Sequence, residues 1–373
     1  MSSEVYFTKA GAKHFGDSIL TRLEKLFDRA GAGSIIKQDE LVAVKTHFGE
    51  PGNVTFTPPV YAGKIIDRIK LCGGVPFMTD TATLYTGGRS NAASHITSAV
   101  KNGFSYSTIN APVIISDGLL GGDFVDVEIG LENIKKAKIA SGIYWADSMI
   151  VMSHAKMHLE ACLGAALKNL GMGCASRSGK QAQHSGNVPG IKKENCTACG
   201  ECASWCNFGA ITVNDTASID EEKCAGCGEC ISVCRHGALE SKWDGGSEKL
   251  QKRMAEYALA AVKNKKGKVF YFNFVMNITP NCDCLPSSGK TITPDIGILA
   301  SFDPVAIDAA SADLISSEAA IDANVKDNPE YDYSYAGKDN FKMVWPKLNH
   351  RVQIDYAEKI GLGSKDYELV EVE

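Results

Sequence analysis

Cys196-Thr-Ala-Cys199-Gly-Glu-Cys202-Ala-Ser-Trp-Cys206 is followed by Cys224-Ala-Gly-Cys227-Gly-Glu-Cys230-Ile-Ser-Val-Cys234. Both runs have the spacing C-x2-C-x2-C-x3-C, and the second starts 28 residues after the first, at 224 against 196. A cubane iron–sulfur cluster needs four converging thiolates. Three close cysteines wrap one cluster, and the fourth of each run ligates the other cluster. The spacing therefore assigns Cys196, Cys199, Cys202 and Cys234 to one [4Fe–4S] cluster, and Cys224, Cys227, Cys230 and Cys206 to a second. Structural zinc is the competing reading, but it usually takes two C-x2-C pairs rather than three close cysteines and a distant fourth. Asn207 and Arg235 stand where such runs usually carry proline, a residue that shapes a turn and ligates nothing.

Outward from this stretch, the flanks alternate apolar runs with helical patterns. Val5–Phe7, Leu41–Lys45, Val75–Met78, Val113–Ser116, Phe124–Ile129 and Ser148–Ser153 read as strands. Helical periodicity falls between them, at 19–30, 58–71 and 92–100, and is predicted again over 159–170. Beyond the cysteines, a helix near 248–263 precedes the aromatic run 268–276, which reads as core, and a further strand at 296–300. Asp303-Pro304 reads as an N-cap followed by proline at the first helical position. Segment 322–340 is polar and reads as a surface excursion, and a last helix and strand close the chain at 350–372. This rhythm predicts an α/β fold with a mostly parallel, covered sheet. The late strands are too few for a sheet of their own. The expectation is one discontinuous α/β domain, 1–189 with 243–373, carrying an α+β ferredoxin-like two-cluster insertion over 190–242.

The chain has 373 residues, 44% of them hydrophobic and 22% charged, with a net charge of −5 spread along it. No clustered basic face suggests nucleic acid. No apolar run approaches the roughly 18 residues of a membrane span, and no basic-then-apolar leader is visible at Met1. Eight of thirteen cysteines are committed to clusters, which fits a reducing cytoplasm, that of an anaerobe, better than a secreted disulfide framework.

Several segments resemble the iron–sulfur centre proteins of the domain of unknown function 362 family. They are Lys45-Thr-His47-Phe-Gly49-Glu50, Ser153-His154-Ala-Lys156-Met-His158, Lys168-Asn169-Leu-Gly171-Met-Gly173-Cys174-Ala-Ser-Arg177, Cys282-Asp283-Cys284 and Asp303-Pro304-Val-Ala-Ile-Asp308. The resemblance runs from about 4 to 362. It implies two [4Fe–4S] clusters and a redox setting, and carries no settled reaction with it.

In open α/β sheets, ligands bind at the carboxyl ends of parallel strands. His47, then His154, Lys156 and His158, then Cys282 and Cys284, and finally Asp303 each follow a strand. If those ends share one rim, Cys282 and Cys284 with His47, His154 or His158 form a candidate third metal or cluster site. A Cys-x-Cys pair is a tight bite, poor for a disulfide and workable for neighbouring corners of a cluster. Alternatively Lys156, Lys168, Arg177 and Lys180 hold an anionic cofactor or substrate, with histidine as acid–base group. Against both stands the plain reading of strand-end histidines as hydrogen-bonded surface residues. Gly171-Met-Gly173 reads as a helix stop and fails both nucleotide-binding patterns. Cys72, Cys162 and Cys174 read as small buried apolar residues.

Two functions follow as expectations. One is an iron–sulfur oxidoreductase or electron-transfer protein that relays electrons from a redox partner protein or small-molecule donor to a site on the α/β domain. The other is a metal or cluster delivery protein using the Cys282–Cys284 loop. Purely structural clusters are a third, weaker option.

Overall fold

The computed structural model describes all residues except 1, 13, 15, 86, 185–187, 207, 225–228 and 241–245. Asn207 and Cys227 therefore lie outside the described residues. The main-sheet strands are β1 (Ser3–Lys9), β2 (Leu41–Lys45), β3 (Val75–Asp80), β4 (Val113–Ile115), β5 (Ser148–His154), β6 (Val269–Val275), β7 (Gly297–Ser301) and β8 (Tyr367–Glu371). They pair in the order β8-β1-β7-β6-β5-β2-β3-β4. Strands from both sides of segment 190–242 thus share one sheet. Among them only β7 runs against the rest, pairing antiparallel with β1 and β6.

Strand alternation explains why both faces are covered. Val42, Val44, Ile150, Met152, Phe270, Phe272 and Phe274 point to one side. There they meet Leu23, Leu26 and Phe27 of α1 (Ile19–Arg29), and Ile65, Ile66 and Ile69 of α2 (Pro59–Leu71). Ala43, Met149, Val151 and Tyr271 point to the other side. That face is covered by α4 (Ala166–Gly171), α6 (Ser247–Val262), α7 (Pro304–Ser317) and α8 (Arg351–Lys359). Two further helices are α3 (Ala92–Lys101) and α5 (Arg177–His184). Each buried phenylalanine contributes about 2 kcal/mol of transfer free energy, so the aromatic strand β6 is core from end to end. Side-chain caps start both helices: Ser18 accepts from Leu20 N–H, and Asp303, the cap expected from the sequence, accepts from Val305 and Ala306.

Four expectations need correction. The predicted helix 159–170 is instead a hairpin, Lys156–His158 against Cys162–Gly164, with a helix only from Ala166. Met157 and Leu163 bury together, Cys162 adopts φ 62, and the helix starts where distant Asp308 accepts from the N–H groups of Ala166 and Leu167, both at 2.8 Å. The Phe124–Glu128 strand leaves the main sheet to pair with Lys136–Ala140. Segment 322–340 is not wholly a surface excursion, because Val325 is buried and Asn340 donates to the carbonyls of Ile315 and Glu318. Cys72 is exposed at the end of α2, whereas Cys162 and Cys174 are buried.

Segment 190–240 is built of short pieces. Gly190–Ile191 pairs with Leu239–Glu240, Ile211–Val213 pairs with Ala217–Ile219, and the helices Glu201–Ser204 and Glu229–Val233 pack together. Among the described residues no helix is long and apolar enough to cross a membrane.

Candidate functional site

The parallel strands β2, β3, β5 and β6 end on one edge, and their last residues and following loops surround a cavity of about 490 Å³. Lys45, at the end of β2, reaches Asp80 at the end of β3 (2.8 Å) and Asn169 of α4 (2.8 Å). Burial opposes the Asp80 charge. Lys45 and Arg89 outweigh it and hold the carboxyl well below the usual range. Arg89 donates to Glu50 (2.7 Å) and faces His47 Nε2 (2.8 Å). Gly49 N–H faces His47 Nδ1 at 3.0 Å, so donors flank both ring nitrogens. Burial, reinforced by Arg89, drives the His47 pKa well down, and the ring is neutral.

Asp283 ties the loop after β6 to the end of β5. Its carboxylate meets His154 Nδ1 (2.7 Å), Lys156 Nζ (3.2 Å) and the Thr55 hydroxyl (2.9 Å), while its carbonyl accepts from Glu50 N–H (2.9 Å). Burial disfavours the Asp283 charge, and His154 and Lys156 overcome that and keep it ionised. His154 Nε2 faces the Met276 carbonyl at 2.7 Å. Both His154 nitrogens are thus spent on fixed acceptors.

This anchoring aims the flanking cysteines at the cavity. Residues 282–285 form a tight turn closed by Leu285 N–H on the Cys282 carbonyl (3.0 Å), and Tyr85 donates to the Cys284 carbonyl (2.8 Å). Cys282 Sγ receives Lys168 Nζ at 3.5 Å and Cys284 N–H at 3.4 Å. A side-chain hydrogen bond shared with the Cys284 thiol pulls the Cys282 thiol pKa well below its usual value, and Lys168 and Lys156 add to it against the effect of burial. That side-chain bond, with burial, pushes the Cys284 thiol up. His158 Nε2 lies 4.0 Å from Cys284 Sγ.

One atom each of His158, Cys282 and Cys284 falls within 4.8 Å of the others, a spacing that suits a metal ion. The ring's other bonds argue against that use. His158 Nδ1 accepts from the N–H groups of Glu160 (3.1 Å) and Ala161 (3.0 Å). A neutral imidazole accepting at Nδ1 carries its proton on Nε2, the atom facing the sulfur. Metal-binding histidines show the reverse, donating from the nitrogen that does not ligate.

The cysteine-rich segment abuts this cavity. Leu84, 6% exposed, both lines the cavity and packs into the segment's apolar cluster with Cys202, Cys230 and Ile231. A second, smaller cavity is lined by Cys196, Cys199, Cys202 and Cys234. Backbone N–H groups of Ala217, Ala210 and Ala238 each point at a sulfur, of Cys196, Cys206 and Cys234 respectively, at 3.3 Å.

A model of the family described as Domain of unknown function (DUF362) matches residues 42–313. The chain belongs to that family. The matched span contains every residue named above at the cavity and every cysteine of the repeated runs. No curated protein matches the chain. The solved lactate racemase apoprotein of Thermoanaerobacterium thermosaccharolyticum is 12% identical at a TM-score of 0.38, covering 73% of this chain and 50% of that one. A Thermotoga maritima protein gives 13% and 0.37, covering 71% and 51%. This family member thus spans about half the length of those solved structures.

Of the residues singled out in the sequence, His47, His154, Lys156, His158, Lys168, Lys180, Cys282 and Cys284 all line the large cavity. Asp303 does not, because β7 is antiparallel and delivers its end to the opposite edge. There Asp303 caps α7 and accepts from Ser3 and Ser364. Arg177 lies beyond the wall, donating to the Leu84 carbonyl at 3.3 Å between the cavity and the cysteine segment. Asp80, Tyr85 and Arg89 were missed. Thr79-Asp80-Thr81 at a strand end was the available signal for the first, whereas the other two sit in a loop with no periodic pattern. Gly171-Met-Gly173 is a helix end in close quarters. A Cβ on Gly173 would stand 2.2 Å from the Asn169 carbonyl and 2.5 Å from Lys45 Nζ.

Proposed function

We propose that this protein is an iron–sulfur oxidoreductase acting on a small molecule held in the 490 Å³ cavity. Cys196, Cys199, Cys202 and Cys234 would hold one [4Fe–4S] cluster, and Cys206, Cys224, Cys227 and Cys230 the other. The fit rests on two features: the first four cysteines border one cavity, and backbone N–H groups are aimed at three sulfurs, as thiolate acceptors require. When bound, such clusters supply electrons one at a time. The ferredoxin-like insertion over 190–242, on an α/β host made of 1–189 and 243–373, belongs to the same proposal.

The observation that carries it is Leu84, a single side chain shared by the cysteine segment's core and the cavity wall. The chain's own groups divide the remaining work. Met152, Leu159, Met172, Leu250 and Met254 supply an apolar wall. Lys168 presents a cation to the cavity, where an anionic group of the substrate can pair with it. His158 offers an Nε2–H donor beside the two sulfurs. Cluster or metal delivery through Cys282 and Cys284 is the weaker reading, because the His158 tautomer leaves two sulfurs without an imidazole ligand.

Anaerobic purification tests the proposal. About eight irons per chain and a reduced-cluster EPR signal on dithionite are expected, and Cys234→Ser should lose about half of that iron. A colourless, iron-free preparation overturns it.

A further inference from the structure

We infer that Cys282 and Cys284 are a redox couple: a dithiol that closes reversibly to a disulfide inside its own turn, by exchange with an organic disulfide entering the large cavity. This goes beyond the electron-relay proposal and does not depend on the cysteine segment holding clusters.

Three features of the site lead here. Both sulfurs are free thiols, both line the cavity, and they lie within 4.8 Å of each other. The turn from Cys282 to Leu285 folds the chain between them. An extended Cys-x-Cys holds its Cα atoms near the upper limit that a disulfide tolerates, whereas a turn brings them within the usual range. The sequence expectation that this spacing is poor for a disulfide assumed the extended form. Finally, the two sulfurs differ in surroundings. Cys282 has Lys168 Nζ and a backbone N–H on its sulfur, the setting of an attacking thiolate, while Cys284 faces His158. Cys162 and Cys174 are the internal comparison, buried thiols that burial pushes up to about 12 and about 11.

The step balances as follows. Cys282 thiolate attacks one sulfur of R–S–S–R′. The bond from Cys282 to SR forms as the S–S bond breaks, and R′S⁻ leaves beside Lys168. Cys284 then loses its proton and attacks Cys282 Sγ. The intramolecular disulfide forms, and the departing RS⁻ takes the proton that Cys284 gave up. Two electrons pass from the protein pair to the organic disulfide, giving RSH and R′S⁻. A disulfide closed over one intervening residue is strained, which makes it easily reduced and the exchange reversible.

The test uses the full chain, reduced and desalted, with oxidised glutathione and separately with the smaller 2-hydroxyethyl disulfide. After an acid quench and maleimide labelling, trypsin releases residues 269–290, which contain Cys282 and Cys284 and no other cysteine. The expected peptide is unlabelled, lighter by two hydrogens, and labelled again after dithiothreitol. Cys284→Ser should instead stall as a stable adduct on Cys282, and Cys282→Ser should react more than tenfold slower. The inference is overturned if both thiols survive both disulfides, or if wild type stalls as an adduct. It is also overturned if zinc alone protects both thiols at one equivalent in a manner that His158→Phe abolishes. Iron is counted on the same preparation. Closure without iron sinks the electron-relay proposal alone, and iron without closure sinks this one alone.

Discussion

Replacing Lys168 by methionine removes the ammonium 3.5 Å from Cys282 Sγ while keeping the apolar stem. At that distance and an effective dielectric of about 20, the lost attraction is about 5 kcal/mol, which raises the titration of Cys282. Below both midpoints the thiolate population then falls about 3,000-fold. A more basic thiolate is also a better nucleophile and returns about 0.4 to 0.5 of each logarithmic unit. The net expectation is a fall of about 50- to 120-fold in Cys282 alkylation. Lys168 is partly exposed to the cavity, and if water there halves the attraction, the fall is about 7- to 11-fold. The assay is iodoacetamide labelling of peptide 269–290 between pH 5 and 9, with circular dichroism to confirm the fold. Lys168→Arg keeps the charge and should keep most of the rate. A Lys168→Met protein that alkylates at the wild-type rate and with the wild-type pH profile refutes the assignment of Lys168 as the cation that holds the thiolate.

Two further perturbations test the frame around the cavity. Asp283→Asn leaves His154 and Lys156 facing each other without their carboxylate, and breaking such a buried set costs about 3–5 kcal/mol, read as a lower urea midpoint. Burial pushes Lys180 down to about 8 from 10.5. Between those values the unfolded chain binds the extra proton, so stability should rise with pH by about 3 kcal/mol across the window. Below about pH 8 the cost of the buried charge is fully present. Lys180→Met should flatten that rise in urea melts at pH 7.5 and 10, and an unchanged slope counts against the burial argument.

Local pattern carries further in some parts of this chain than in others. Helix α1 was readable because Ser18 caps it and Leu23, Leu26 and Phe27 fall on one face. Strands β2, β5 and β6 were readable as short apolar runs. The helix expected over 159–170 failed because its residues suit either state, and two non-local facts chose: Met157 and Leu163 bury as a hairpin, and the cap for α4 comes from Asp308, 142 residues away. Arg89 was invisible for the same reason, since its partners Glu50 and His47 come from another loop.

The sequence by itself determined which residue types follow which strands, and it set out the repeated cysteine spacing, because both are written in contiguous residues. Only the tertiary structure decided that the ends of β2, β3, β5 and β6 share an edge while β7 runs the other way, taking Asp303 to the far side. It also decided which histidine nitrogen is free to act. A tautomer is fixed by the groups that happen to fold against the ring, and two backbone N–H groups on His158 Nδ1 leave its proton facing the sulfurs.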